Sequence, residues 1–368
     1  ERWEEAEELL EMLVRLGAKR PSAEMHPIHL KYAKVADKQD DLDKALKGYE
    51  AAYALESTHL PTVLGMADVH YRLEEWDKAF KFYQMILVHH RDSQSKDEIV
   101  EIFHRLGYIK AQLKERRKAL NMFDKALEIN KTHLPTLEQV IKLHTEQKNY
   151  EQVIHYKKEM LDAVREPEQV RLLVEIGDIW QSKLKNPQKA ISSYVEAIEL
   201  DPNNRPTLHK MLPLYQQTKQ WQKVVEVVER VAEMEEDDIK LGRLFYSMGV
   251  IYRDELKSAE DAVNYFNKSL DASLENLKAF EAIDKILTQR KDWKSLERNY
   301  RKMLHRISGK DRKDLEINLW HFLGEIYRTR MQQFEPAAEA FKMAANLDPD
   351  NAMRHEILAE LYSSLPSR

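Results

Sequence analysis

Apolar side chains recur along the whole chain at the spacing of an α-helix rather than a β-strand. After Gly107, for example, Ala119, Phe123 and Ala126 stand at i, i+4 and i+7, which places them on one helix face. The same triplet, a large aromatic residue between two small ones, returns at 190, 194 and 197, at 262, 266 and 269, and at 337, 341 and 344. The pattern predicts amphipathic helices throughout and no strand.

A glycine precedes each triplet at a nearly constant distance. These glycines are Gly107, Gly177, Gly249 and Gly324, spaced 70, 72 and 75 residues apart. A glycine inside a helix costs about 1 kcal/mol relative to alanine, so it needs a packing reason. We expect that reason to be the close approach of the following helix. Its facing residue is then the first alanine of the triplet, such as Ala190 opposite Gly177.

The motif Thr-His-Leu-Pro-Thr occurs at Thr58–Thr62 and again, 74 residues later, at Thr132–Thr136. The corresponding stretch further along the chain is "NNRPTL", Asn203–Leu208. The prolines fall in the first turn of a predicted helix, where a missing N–H group removes no hydrogen bond. The motif therefore predicts a tightly specified joint between helices, whereas the helices themselves need only keep their apolar periodicity.

This organisation resembles the tetratricopeptide repeat family, which stacks helix–turn–helix units of roughly 34 residues with small residues where the two helices cross. In that register the repeats start near His26, Leu60, Val100, Leu134, Val170, Arg205, Gly242, Leu277, Ile317 and Ala352. Short and long spacings alternate, which indicates that a pair of repeats is the structural unit. The resemblance implies an all-α, right-handed superhelical solenoid of antiparallel helix pairs, with nine full and two half repeats.

The expected organisation is one continuous solenoid of 20 helices. Residues 1–25 form a half repeat, a second helix with its linker. Four pairs of repeats and an incomplete fifth pair follow at 26–93, 100–167, 170–238, 242–310 and 317–368. An array cut within a repeat at both ends is typical of a fragment of a longer bacterial array. The alternative is that each half repeat is a terminal cap.

Composition and charge exclude several classes of partner. The 58 basic and 63 acidic residues are interspersed, with a formal net charge of −5. No block of like charge suggests a nucleic acid or an anionic membrane as partner. No apolar run is long enough to insert into a bilayer. The chain has no cysteine, which removes disulfides and thiolate chemistry. We expect the cytoplasm as its compartment, and a cysteine-poor periplasm is the alternative.

No arrangement of catalytic or metal-binding residues stands out. The sequence has no phosphate-binding glycine loop and no nucleophile elbow. His355 and Glu356 begin a zinc-protease motif, but Ala359 stands where its second histidine belongs. We therefore expect no enzymatic activity, no cofactor and no metal.

The resemblance implies that a partner binds in the concave groove that first helices line at set positions of each repeat. At those positions the candidate partner-binding residues are Arg243, Tyr246, Arg253, His321, Arg328, Asp68, Tyr71, His104 and Tyr108. Arginine grips a carboxylate through two hydrogen bonds, and tyrosine adds contact area, so the cationic group suits an acidic segment. The alternative is a solvated helix face with incidental charges.

The sequence thus predicts a non-catalytic protein–protein interaction scaffold that binds a peptide, a helix or a folded protein. By resemblance to long bacterial arrays, the expected setting is an envelope, pilus, secretion or polarity assembly. The alternative function is a regulatory or targeting module of a larger enzyme whose catalytic domain lies outside this chain.

Overall fold

The computed structural model describes residues 3–17 and 21–364, and in these residues it contains twenty α-helices and no strand. The all-α architecture and the number of helices are confirmed. The described residues do not include 1–2, 18–20 and 365–368. These positions belong to the expected ranges 1–25 and 317–368. The helices are α1 Trp3–Leu16, α2 Ser22–Lys38, α3 Leu42–Leu55, α4 Leu60–Arg72, α5 Trp76–His89, α6 Lys96–Gln112, α7 Arg116–Ile129, α8 Leu134–Glu146, α9 Tyr150–Leu161, α10 Glu166–Ser182, α11 Pro187–Leu200, α12 Arg205–Gln217, α13 Trp221–Glu233, α14 Asp238–Asp254, α15 Ala259–Ala272, α16 Lys278–Gln289, α17 Trp293–Ile307, α18 Lys313–Glu325, α19 Phe334–Leu347 and α20 Ala352–Ser364.

The chain forms two compact units, Glu1–Leu200 and Asp201–Arg368. In each unit, the most extensive contacts join the first and second helix of one repeat, as in α10 with α11 or α14 with α15. Each unit is therefore a stack of helix pairs. The boundary between the units falls inside the expected third pair, 170–238, and the pair of repeats as structural unit stays a prediction.

Helix length accounts for the alternating repeat spacing. The first helices α6, α10 and α14 have 17 residues each, whereas α4, α8 and α12 have 13. The additional turn lies at the N-terminal end, so α6 begins at Lys96, before the expected Val100. A capping box stabilises this turn, because Ser95 Oγ accepts from the backbone N–H of Glu98 and the Glu98 carboxylate accepts from that of Ser95. The interhelical segments 90–95 and 308–312 are only slightly longer than 56–59.

The turn between the two helices of every full repeat contains a residue with left-handed backbone. None of these nine residues is a glycine; they are Asp40, Glu74, Lys114, Lys148, Lys185, Lys219, Lys257, Lys291 and Gln332. The next backbone N–H reaches back to the end of the first helix, as Gln220 N does to Tyr215 O at 2.8 Å. The left-handed residue thus reverses the chain while it satisfies the helix end.

The periodic glycines meet aromatic rings, which corrects the expectation that they face alanines. A side-chain carbon placed on Gly177 would overlap the ring of Tyr194, and Ala190 is not among its nearest neighbours. The same carbon on Gly107 would lie 2.5 Å from the ring of Phe123. Gly249 and Gly324 meet Phe266 and Phe341 in the same way. The aromatic residue of each triplet therefore fills the crossing, and only glycine leaves room for it.

A buried threonine explains why the Thr-His-Leu-Pro-Thr motif is repeated so closely. Thr62 is fully buried, at 0 % exposure. Its hydroxyl lies 2.9 Å from Nδ1 of His59, at the helix cap, and 3.2 Å from Nε2 of His26 on the preceding first helix. A buried hydroxyl without a hydrogen-bond partner is costly. Both copies of the motif therefore contain a histidine whose ring bonds the threonine hydroxyl. In the third instance Asn204 Oδ1 replaces the ring and accepts from the hydroxyl of Thr207 at 2.7 Å.

Candidate protein-interaction surface

Three of the four predicted residues of the first unit form one internally bonded cluster. Tyr71 on α4 and Tyr108 on α6 pack with ring centroids 5.7 Å apart. Asp68 accepts a hydrogen bond of 2.6 Å from the hydroxyl of Tyr83 and forms an ion pair with Arg105. Arg105 also lies 5.6 Å from the ring of Tyr71. The structure thus brings Asp68 and Tyr71 together around Arg105, a residue that the sequence analysis missed, and Tyr108 packs against Tyr71.

His104 takes part in the second copy of the threonine motif. Its Nδ1 lies 3.1 Å from the hydroxyl of Thr136, which also lies 2.7 Å from Nδ1 of His133. Burial lowers the pKa of His104, and burial raises the pKa of Tyr71 to about 12. Both side chains are therefore neutral near pH 7. His104 therefore has a hydrogen-bonding role within the chain.

In the second unit the predicted residues form two similar groups. On α14, Tyr246 and Arg253 both contact the ring of Phe266, at centroid distances of 5.4 and 5.9 Å. On α18 and the π-helical turn that follows it, Ile326–Met331, His321 and Arg328 contact the ring of Phe341 in the same way, at 5.3 and 6.0 Å. The structure therefore places one group in each of two repeats.

Two of the three predicted arginines already have carboxylate partners. Arg253 donates two hydrogen bonds of 2.7 Å to Asp254, and Arg328 donates bonds of 2.7 and 3.0 Å to Glu325. Burial lowers the pKa of His321, so this ring carries no charge near pH 7. The remaining cation, Arg243, is exposed. It interacts electrostatically with Asp237, but no ion pair joins it to a residue in the described part of the chain.

Arg243 and Tyr246 line a cavity of about 300 Å³ at the N-terminal end of α16. Lys278 from α16 and Glu275 from the preceding segment complete its charged lining, together with Ser273 and Asn276. The cavity therefore presents two cations, one carboxylate and several neutral hydrogen-bonding groups. This arrangement fits one carboxylate of a partner better than it fits a cation or an apolar side chain.

A larger cavity, of about 780 Å³, lies on the other side of α16 and was missed by the sequence analysis. Residues of α16, α17, α18 and the π-helical turn line it, among them Phe322, which is 53 % exposed. The available signal was Phe322 itself, a large apolar residue outside the periodic core positions. We call the surface that carries both cavities, formed by α14, α16 and α18, the first-helix face.

In residues 3–17 and 21–364, no three acidic or histidine side chains converge as metal ligands would. None of the helices described has both the length and the apolar character needed to cross a bilayer.

Family models support the repeat assignment. Tetratricopeptide repeat family models match residues 59–132, and also 170–204 and 317–351. Among solved structures, YrrB, described as a TPR protein with an unusual peptide-binding site, is 19 % identical, with a TM-score of 0.36 over 50 % of this chain and 90 % of its own. The C-terminal part of a TPR protein from Cytophaga hutchinsonii is 18 % identical, with a TM-score of 0.39 over 69 % and 99 %.

A structure of Naa15/Naa10 bound to HypK-THB aligns at 13 % identity and a TM-score of 0.43, over 92 % of this chain and 61 % of that one. The family matches fall on three separate parts of the chain, and the helix pairs with their glycine–aromatic crossings extend through the parts between them. The chain thus carries tetratricopeptide repeats in these three parts, and its described residues form the helix pairs of a helical repeat protein.

Proposed function

We propose that the chain is a non-catalytic scaffold that holds an extended segment of a partner protein on the first-helix face, with an acidic side chain of that segment between Arg243 and Lys278. A single observation carries the proposal. Arg243 is exposed and unpaired among the described residues, and it shares a cavity with a second cation and with Tyr246. Of the predicted cations, Arg253 and Arg328 already have acidic partners, so they contribute less. A bacterial envelope, pilus, secretion or polarity assembly stays the expected setting, on the sequence resemblance alone.

The energetics favour a measurable effect of this site. An exposed ion pair contributes about 0.2–1 kcal/mol, and a charge reversal replaces that attraction by a repulsion of similar size, so Arg243→Glu should change the affinity by roughly tenfold. The helices hold Arg243 and Tyr246 in place, so little backbone freedom is lost on binding. Because the charges lie at the surface, we also expect affinity to fall as the salt concentration rises.

A phage-displayed library of random twelve-residue peptides, selected on the full chain, tests the proposal. We expect the enriched peptides to share an Asp or Glu. A labelled enriched peptide should bind Arg243→Glu about tenfold more weakly or worse, as measured by fluorescence anisotropy. Arg298→Glu, an exposed arginine on the second helix α17, is the matched control and should bind normally. Failure to enrich any peptide, or equal binding to wild type and Arg243→Glu, would overturn the proposal.

A further inference from the structure

The cavity of about 780 Å³ between α16 and α18 is large enough for a bulky side chain of a partner. Its volume lies in the range of small-molecule and side-chain pockets. Its aromatic lining is Phe280, Trp293, Tyr300 and Phe322. Phe322 on α18 has half of its surface in water, whereas Phe341, the crossing aromatic of the same repeat, is fully buried. A partner side chain inserted here would remove apolar area from water on both sides.

The charges around the cavity are mostly negative. Glu281, Asp284 and Glu325 line it, against one cation, Arg330. The Arg330 guanidinium lies 5.0 Å from the ring of Trp293 and so covers the apolar wall. Glu281 is exposed and forms no ion pair with a residue that the structure describes. A lysine or arginine of the partner could therefore form an ion pair with the Glu281 carboxylate.

The remaining two carboxylates are held in place by their own neighbours. Asp284 accepts a hydrogen bond of 2.8 Å from the hydroxyl of Tyr300, which fixes the ring in the cavity wall. Glu325 accepts from Arg328 at 2.7 Å. Both therefore contribute negative potential without being available for a full ion pair, and Glu281 is the group that can form one.

We propose that this cavity binds one bulky apolar side chain of the partner segment, and that the residue next to it in that segment is lysine or arginine. The proposal rests on the proposed function, because it concerns the same segment on the same face. The occupant follows from charge complementarity: an apolar anchor suits the aromatic walls, and a neighbouring cation suits Glu281. An acidic residue at this point would be repelled by Glu281 and Asp284, which have no cationic partner among the described residues.

The order of the two cavities along the face defines a short motif. Helix α16 lies between them, since it contributes to both cavities, whereas α14 lines only the smaller and α18 only the larger. Packed helix axes lie about 8–10 Å apart. An extended chain covers that distance in about three residues. We therefore expect an acidic residue about three positions away from the apolar anchor and its basic neighbour.

The random peptide library tests this motif directly. On wild type, the enriched peptides should carry Trp, Phe, Leu or Met next to Lys or Arg. Phe322→Ala, at an exposed position that leaves the core intact, should weaken binding of an enriched peptide by about tenfold, the loss expected for one buried side chain. Far-UV circular dichroism should show unchanged helicity.

A charge reversal provides the sharper readout. A selection on Glu281→Lys should enrich Asp or Glu, instead of Lys or Arg, beside the apolar anchor. Glu339→Lys, an exposed glutamate on the second helix α19, is the matched control and should leave the preference unchanged.

The outcomes separate this inference from the proposed function. Peptides that bind, lose affinity with Arg243→Glu and are indifferent to Phe322→Ala and Glu281→Lys would overturn the inference alone. A selection that enriches no peptide would overturn both.

Discussion

Replacing Gly177 by leucine tests the packing that defines each repeat. The glycine lies on α10, under the ring of Tyr194 from α11, and a side-chain carbon there would overlap that ring. The ring cannot give way easily, because it is 0 % exposed and its hydroxyl donates a 2.7 Å hydrogen bond to Asp178 on α10. The substitution must therefore either push the helices apart or expel the ring.

The expected loss follows from the opposing contributions. Overpacking a filled core costs about 1–3 kcal/mol. Expelling the ring instead would lose about 1.5–3 kcal/mol of burial and about 1 kcal/mol of hydrogen bonding. Leucine regains up to about 0.8 kcal/mol, because it favours the helix more than glycine does. We expect Gly177→Leu to lower the free energy of unfolding by about 1–3 kcal/mol.

Urea unfolding of the full chain, followed by far-UV circular dichroism, measures this loss as a lower transition midpoint. The matched control is the same substitution in a Tyr194→Leu background, where the ring that causes the overlap is absent. There Gly177→Leu should cost clearly less, and the difference gives the coupling energy between the two positions. A Gly177→Leu chain as stable as wild type would refute the glycine–aromatic crossing.

Three further predictions follow from the helix turns, the buried histidines and the pair assignment. Lys219 is exposed and has the left-handed φ of 55°, which glycine adopts at lower cost than other residues. Lys219→Gly should therefore raise the free energy of unfolding by up to about 1 kcal/mol, and Lys219→Val should lower it. Equal urea midpoints for the two variants and wild type would contradict this prediction. Burial lowers the pKa values of four histidines, His59, His104, His144 and His321. Below about pH 6.5 the unfolded chain therefore binds more protons than the folded chain, and the free energy of unfolding should fall as the pH is lowered. The fall between pH 6.5 and 5 should be shallower in His104→Gln, and an identical slope would exclude His104 as a contributor. Limited proteolysis should cut 90–95 and 308–312 before 56–59, and preferred cleavage at 56–59 would refute the pair of repeats as structural unit.

The sequence predicted the helices well because their apolar periodicity is a local property. It did not predict which side chain of α11 meets Gly177. Ala190 and Tyr194 are four residues apart and share a helix face, so only the crossing geometry decides between them. The start of α6 at Lys96 was missed although its signal was present, since Ser95 and Glu98 have the spacing of a capping box.

The candidate site was less predictable, because it depends on partners within the chain. The pair Arg328 with Glu325 has the i, i+3 spacing of neighbours on a helix surface and could have been expected from the sequence. Arg253 and Asp254 are adjacent residues, which do not face each other on a helix, so their pairing could not be expected from spacing. Asp68 and Arg105, by contrast, lie in different repeats, and their pairing requires the exact register of two stacked helices. The larger cavity depends on the separation of α16 and α18 and on the π-helical turn after α18, none of which leaves a pattern in the sequence.

Photo-crosslinking of a selected peptide tests the central claim, that a partner segment lies on the first-helix face, most directly. An enriched peptide that carries a benzophenone side chain at its apolar position is irradiated with the full chain, and the linked residues are identified by mass spectrometry. We predict crosslinks to α16 and α18 around Phe280 and Phe322, which Phe322→Ala weakens and Glu339→Lys leaves unchanged. Crosslinks confined to the outer residues of α15, α17 and α19, such as Arg298 and Glu339, would contradict the account.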